Sequence, residues 1–177
     1  DDFIHLDAMD LIALSGTKDT GWYLPEAKRQ WKREKLPMPE DSAPDYEKIL
    51  SSDCGLAVES TMIYHTPEVK RTVGTPWIPV LVERSSYEGH PLGRMEWIRL
   101  YGVLTGKEAE AEQIFAKILT LCPMFSTWNH PENGRFFYVT NSGSVNVRKN
   151  GDYIAKMIAL AGGTYIPGNA GSDENAL

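Results

Sequence analysis

Three polar segments hold the residue types that could do chemistry in this chain. The first is Glu59-Ser60-Thr61-Met62-Ile63-Tyr64-His65, and the second is Glu83-Arg84-Ser85-Ser86-Tyr87-Glu88-Gly89-His90. The third is Thr140-Asn141-Ser142-Gly143-Ser144, with Asn146 and Arg148 further along. All three are rich in hydroxyl, amide and charged groups, as a polar or anionic ligand requires. Arg84, Arg94 and Arg148 could form a basic mouth, because a guanidinium fork pairs bidentately with carboxylates. The competing reading pairs them with Glu83, Glu88, Glu96 or Asp152, and for Arg94, near a helix start, that reading leads. Tyr64 and Tyr87 each offer an apolar ring with a polar tip, which suits a ligand-facing wall. Packing in the core is the alternative for both.

Other chemistries fare less well. Glu59, His65 and His90 are metal-ligand types, yet no two of the four histidines share helical ligand spacing and no HExxH is present. Ser85 and Ser86 lie near His90 without the GxSxG elbow of a nucleophilic serine. Neither GxxxxGK[ST] nor GxGxxG occurs. Glu59 and Glu83 both follow apolar runs, but two such glutamates are more often orienting or ion-paired groups than an acid–base couple. No catalytic constellation is legible, no resident cofactor is expected, and a non-enzymatic role leads. The alternative is an α/β enzyme or chelatase-like protein using Glu59, His65 or His90.

The elements around these segments follow from pattern. Asp7 ahead of Met9, Leu11, Ile12 and Leu14 predicts a short capped helix ended at Gly16, and Pro25-Glu26 opens a charged helix to about Lys35. Pro44 to Leu50 predicts a helix, Leu56 to Glu59 a strand, Thr66-Pro67 a helix start, and Trp77 to Val82 a second strand. Apolar strands alternating with helices predict a parallel sheet covered on both faces. In such sheets ligands bind beyond the carboxyl ends of the strands, where the first two polar segments fall. Two helices follow, Gly93 to about Leu104 and Lys107 to about Leu121, with Thr105 to Glu108 matching a capping box and Pro123 as a stop. Arg135 to Thr140 predicts a third strand, Gly151 to Ala161 a helix ended by Gly162-Gly163, and Pro167 to Leu177 a polar tail.

Totals narrow the class. The chain has 177 residues, 42% hydrophobic and 24% charged, with a net charge of −6. That is ordinary for a globular protein, and the scattered basic residues do not form the basic face of a nucleic-acid binder. Lys28-Arg29 and Lys32-Arg33 read as a solvated helix face. Cys54 and Cys122 make no CxxC and are read as two free thiols.

Four stretches resemble one family. Tyr46-Glu47-Lys48-Ile49-Leu50 with Cys54-Gly55-Leu56-Ala57-Val58, Gly74 to Val82, Leu100 to Ala111, and Asp152 to Gly163 are similar, in this order, to the motifs of extracytoplasmic solute-binding proteins of ABC importers, in the iron-complex, haem and cobalamin branch. The Leu-Tyr-Gly-Val-Leu-Thr-Gly-Lys-Glu-Ala run from Leu100 and the Ala161-Gly162-Gly163 ending are the most specific. The family's Pro-Asp step is replaced by Cys54-Gly55.

The resemblance implies an α/β protein with a Rossmann-like parallel-sheet lobe over residues 1–104 that lacks its first strand. An interlobe helix over 105–123 would join it to an incomplete second α/β lobe over 124–177. It further implies capture of an iron complex (siderophore, haem or related metal chelate) between the lobes and delivery to permease subunits. Glu59, Tyr64, Arg84, Ser85, Tyr87, Asn141, Ser142 and Arg148 would contact ligand, and Glu47 would dock to the permease. The setting would be periplasmic or cell-surface, with membrane attachment only through a lipid anchor outside this chain.

Overall fold

The computed structural model describes residues 1–17, 21–34, 46–65, 67, 78–126 and 147–166. Its described elements, in chain order, are α1 (Asp2–His5), a 3-10 turn (Met9–Leu11), α2 (Pro25–Glu34), α3 (Tyr46–Ser51), β1 (Ala57–Ser60) and a 3-10 helix (Thr61–His65). They continue with β2 (Val80–Glu83), a 3-10 turn (Ser85–Tyr87), α4 (Pro91–Thr105), α5 (Glu108–Ser126) and α6 (Tyr153–Leu160). The protein is mixed α/β, with a small two-stranded parallel sheet and several helices. The chain divides into two compact units, Asp1–Arg84 and Ser85–Leu177.

In the first unit, β1 and β2 pair in parallel, with Ala57 opposite Val80, Glu59 opposite Val82 and Ser60 opposite Glu83. Parallel pairing requires a crossover between the strands, which the 19 residues from 61 to 79 provide. The core of this unit contains Leu6, Ala8, Ala27, Ile63 and Ile78. A sheet covered on both faces was expected, but Val58 is 44% exposed and β1 alternates half-buried with exposed positions. A short apolar run such as Leu56-Ala57-Val58 looks the same in sequence whether one face or both are covered.

The start of the chain also departs from pattern. Asp7 was expected to cap a following helix. Instead it closes α1: its φ is +50°, and the amide of Ala8 donates to the Phe3 carbonyl at 2.8 Å. That six-residue loop-back is a Schellman ending, and aspartate is among the few residues that tolerate the left-handed position.

The second unit is a helical assembly. Its core contains Ile98 and Tyr101 of α4, Ala111 and Phe115 of α5, and Ala155 of α6. Burying side chains the size of Ile98 and Phe115 contributes ~1.5–3 kcal/mol each. The α4–α5 junction is a tight reversal. Gly106 adopts φ +68°, and the Lys107 amide donates to the Gly102 carbonyl at 2.7 Å. The helices then pack so closely that a Cβ on Gly102 would lie 2.5 Å from that of Ala111.

This geometry overturns the expected capping box. Thr105 is the last residue of α4, and its hydroxyl donates back to the Tyr101 carbonyl at 2.8 Å rather than capping α5. Threonine hydroxyls compete for local carbonyls, and here the preceding turn wins. Pro123 does not stop α5, which runs to Ser126. A helix already seated by Ala111 and Phe115 continues about one more turn despite one lost hydrogen bond.

The predicted third strand (135–140), the Thr66 helix cap and the tail from Pro167 lie outside the described residues.

Candidate ligand-binding site

Within the first unit, parallel pairing puts the carboxyl ends of β1 and β2 on one edge, and the Thr61–His65 helix touches both strands there. The turn starts where the Ser60 hydroxyl accepts the Met62 amide at 3.3 Å. Ile63 is buried and anchors the turn, which leaves Met62, Tyr64 and His65 exposed. Glu59 is half-buried at the same edge, and that burial pushes its carboxyl above the usual glutamate range. Arg84 follows β2 directly and is exposed. Tyr64 is 53% exposed, so core packing does not account for it.

The second unit holds Ser85, Tyr87 and Arg148. The Ser85–Tyr87 turn closes with the Glu88 amide donating to the Ser85 carbonyl at 3.1 Å, and Tyr87 is 54% exposed. The turn is fastened to α4 in several ways. Arg94 Nη2 donates to the Ser86 carbonyl at 2.9 Å, and Trp97 Nε1 donates to Glu88 Oε1 at 3.0 Å. Gly93 lets the Glu88 carboxylate sit close, since a Cβ there would be 3.0 Å from Glu88 Oε2.

Arg94 therefore serves the interior of the unit rather than a basic mouth. Its guanidinium lies 3.7 Å from the centroid of the Tyr153 ring. The anticipated glutamate partners give way to a backbone carbonyl and an aromatic face. Arg148 does meet a carboxylate, with Nη1 3.6 Å from Asp152 Oδ2. Its own carbonyl accepts the Tyr165 hydroxyl at 2.6 Å.

His90 has a structural task. Its Nδ1 accepts the Leu92 amide at 3.2 Å, capping α4 ahead of Pro91 at the first helical position. Glu59 and His65 belong to the first unit and His90 to the second. Among the described residues, no group of three or more His, Cys, Asp or Glu is placed to hold a metal ion. Cys54 and Cys122 are free thiols. Burial, and then the neighbouring Asp53 charge, raises the Cys54 thiol above its usual range, which slows its chemistry.

Glu47 is exposed in the first turn of α3. Asn141 and Ser142 lie outside the described residues. Tyr153 and the tie between Glu88 and Trp97 are groups that sequence reasoning missed, and Asp152, foreseen as an arginine partner, has a second role as a helix cap. Asp152 carried a signal, an acidic residue immediately before an amphipathic helix; its carboxylate accepts the Ile154 amide at 2.8 Å. Glu88 and Trp97, nine apart and partly outside a helix, carried none.

Compared with known proteins, the chain matches no family model, and no curated protein is significantly similar to it. No helix among the described residues is long and apolar enough to cross a membrane.

Proposed function

We propose that this protein is the extracytoplasmic solute-binding component of an ABC importer, which captures an iron complex and delivers it to a permease. In this reading the first unit belongs to a Rossmann-like lobe, and α5, about 28 Å long at 1.5 Å per residue, serves as the connecting rod. One observation carries the proposal. Glu59 and the Thr61–His65 turn meet at the carboxyl edge of a parallel strand pair that Arg84 directly follows, the place where open α/β sheets bind small ligands. The ligand class, a metal chelate, and the docking role of Glu47 rest on the motif resemblance alone. An enzymatic reading based on Glu59, His65 and His90 draws no support from His90, whose Nδ1 is engaged in capping α4.

The test is titration calorimetry of the chain against ferric hydroxamate and catecholate siderophores, haem and corrinoids. We expect one member to bind with a dissociation constant at or below the micromolar range, about −8 kcal/mol. Failure of every member to bind would remove the assignment.

A further inference from the structure

The candidate ligand contacts of the second unit fall on two stretches far apart in sequence, Ser85–Tyr87 and Arg148. The side chain of Arg94 links them. The Arg94 guanidinium donates to the Ser86 carbonyl at 2.9 Å and covers the Tyr153 ring at 3.7 Å. Tyr153 is the first residue of α6, and the residue before it, Asp152, is 3% exposed. Asp152 caps that helix through the Ile154 amide and takes Arg148 Nη1 on its other oxygen at 3.6 Å. The path from the exposed turn to Arg148 thus runs through Ser86, Arg94, Tyr153 and Asp152. A second tie, Trp97 to Glu88, holds the turn to α4 but does not reach α6. Arg94 Nε is buried with no hydrogen-bond partner among the described residues. Among the described residues the guanidinium is held by the Ser86 carbonyl and the Tyr153 ring.

We propose that Arg94 is a positioning residue of the ligand site, fixing the Ser85–Tyr87 turn relative to the Arg148 segment; its relevance to ligand rests on the solute-binding reading above. The planar cation is needed because it must stack on a ring and donate in its own plane at once. Methionine keeps the apolar stem and loses both interactions. Lysine keeps the charge over the ring but lacks the in-plane fork.

The experiment compares amide exchange, resolved by segment, in the whole chain and in Arg94→Met, Arg94→Lys, Tyr153→Leu and the Arg94→Met/Tyr153→Leu double variant. Arg99→Met serves as control, since Arg99 also sits on α4 and covers a ring, that of Phe115. Arg94→Met should speed exchange about tenfold in both 85–90 and 147–152, the size expected when a hydrogen bond and a cation–π contact are lost together. Arg94→Lys should recover part of that, Tyr153→Leu should reproduce it, and the double variant should add little. Arg99→Met should leave both segments as they were. Exchange in 147–152 that is unchanged in Arg94→Met, or effects of Arg94 and Tyr153 that simply add, would overturn the coupling.

Where calorimetry finds a ligand for the parent chain, Arg94→Met should weaken it about tenfold with the thermal midpoint moved no further than in Arg99→Met; unchanged affinity would overturn the positioning role. Where the parent chain binds none of the panel, the solute-binding reading fails, and the exchange comparison still decides whether Arg94 couples the two segments.

Discussion

At the scale of single residues, environment sorts groups that look alike in sequence. Glu59, next to the last residue of β1, is half-buried, and that burial raises its carboxyl above the usual glutamate range. A carboxyl raised in the folded state binds its proton more tightly there than in the unfolded chain. The contribution of Glu59 to stability is therefore greatest below the ordinary glutamate range and falls as pH rises through the raised value. Glu59→Gln should remove that fall, which denaturant unfolding at a series of pH values will show. Glu112 behaves oppositely. The Arg99 fork grips it with Nε–Oε2 at 2.8 Å and Nη2–Oε1 at 2.7 Å, and this holds its carboxyl below the usual range. Its contribution is present above the ordinary glutamate value and is lost as pH falls through the lowered one. The pair is solvent-exposed, so we expect Glu112→Gln to change stability little and to change it less still in high salt. Tyr64→Ala and Arg84→Ala should each weaken a bound anionic chelate about tenfold or more, as expected for loss of an aromatic wall or a charge-assisted contact. Affinities equal to the parent would remove these two residues from the site.

At the scale of elements, the α4–α5 hairpin depends on two glycines with different duties. Gly106 supplies the left-handed turn, φ +68°, and Gly102 supplies closeness, facing Ala111. Gly106→Ala should cost ~1–2 kcal/mol for a strained left-handed residue. Gly102→Ala should cost ~1–3 kcal/mol, because two well-packed helices must separate. Adding Ala111→Gly should recover part of the second loss and none of the first, a non-additivity that denaturant melts can measure. The same kind of ending recurs at α6, where Gly162 has φ +78° and the Gly163 amide donates to the Ile158 carbonyl at 2.9 Å. At the other end of α6, Asp152→Ala removes the cap and should cost ~1 kcal/mol, whereas Asp152→Asn keeps the cap and loses only the charge partner of Arg148.

At the scale of the whole molecule, ligand binding is the test that matters. A ligand at a hundred times its dissociation constant stabilises the folded state by about 2.7 kcal/mol. For a chain of 177 residues that is a rise of roughly 5–10 °C in thermal midpoint, readable by differential scanning calorimetry across the same chelate panel. In the proposed importer, reversing charge with Glu47→Arg should leave solution affinity unchanged and abolish uptake in a reconstituted transport assay. Loss of affinity instead would place Glu47 in ligand binding rather than docking.

What the amino-acid sequence determined by itself was local. Proline at the first position of α2, apolar runs of strand length, helical periodicity in α4 and α5, and the glycines after α6 placed most described elements within a few residues. These signals act through the backbone of a few neighbours, so they survive without knowledge of the rest of the chain. The edge where Glu59 and the Thr61–His65 turn meet was legible for the same reason, since parallel strands with a crossover must share a carboxyl edge. What depended on tertiary structure was the choice between equivalent local bonds. Thr105 could cap forward or bond back, and Asp7 could open a helix or close one. Arg94 could meet a ligand or an aromatic ring, and the ring of Tyr153 is 59 positions away in sequence (153 − 94). Each alternative differs by no more than the free energy of one hydrogen bond or ring contact, and which partner is in reach is decided only when distant segments pack.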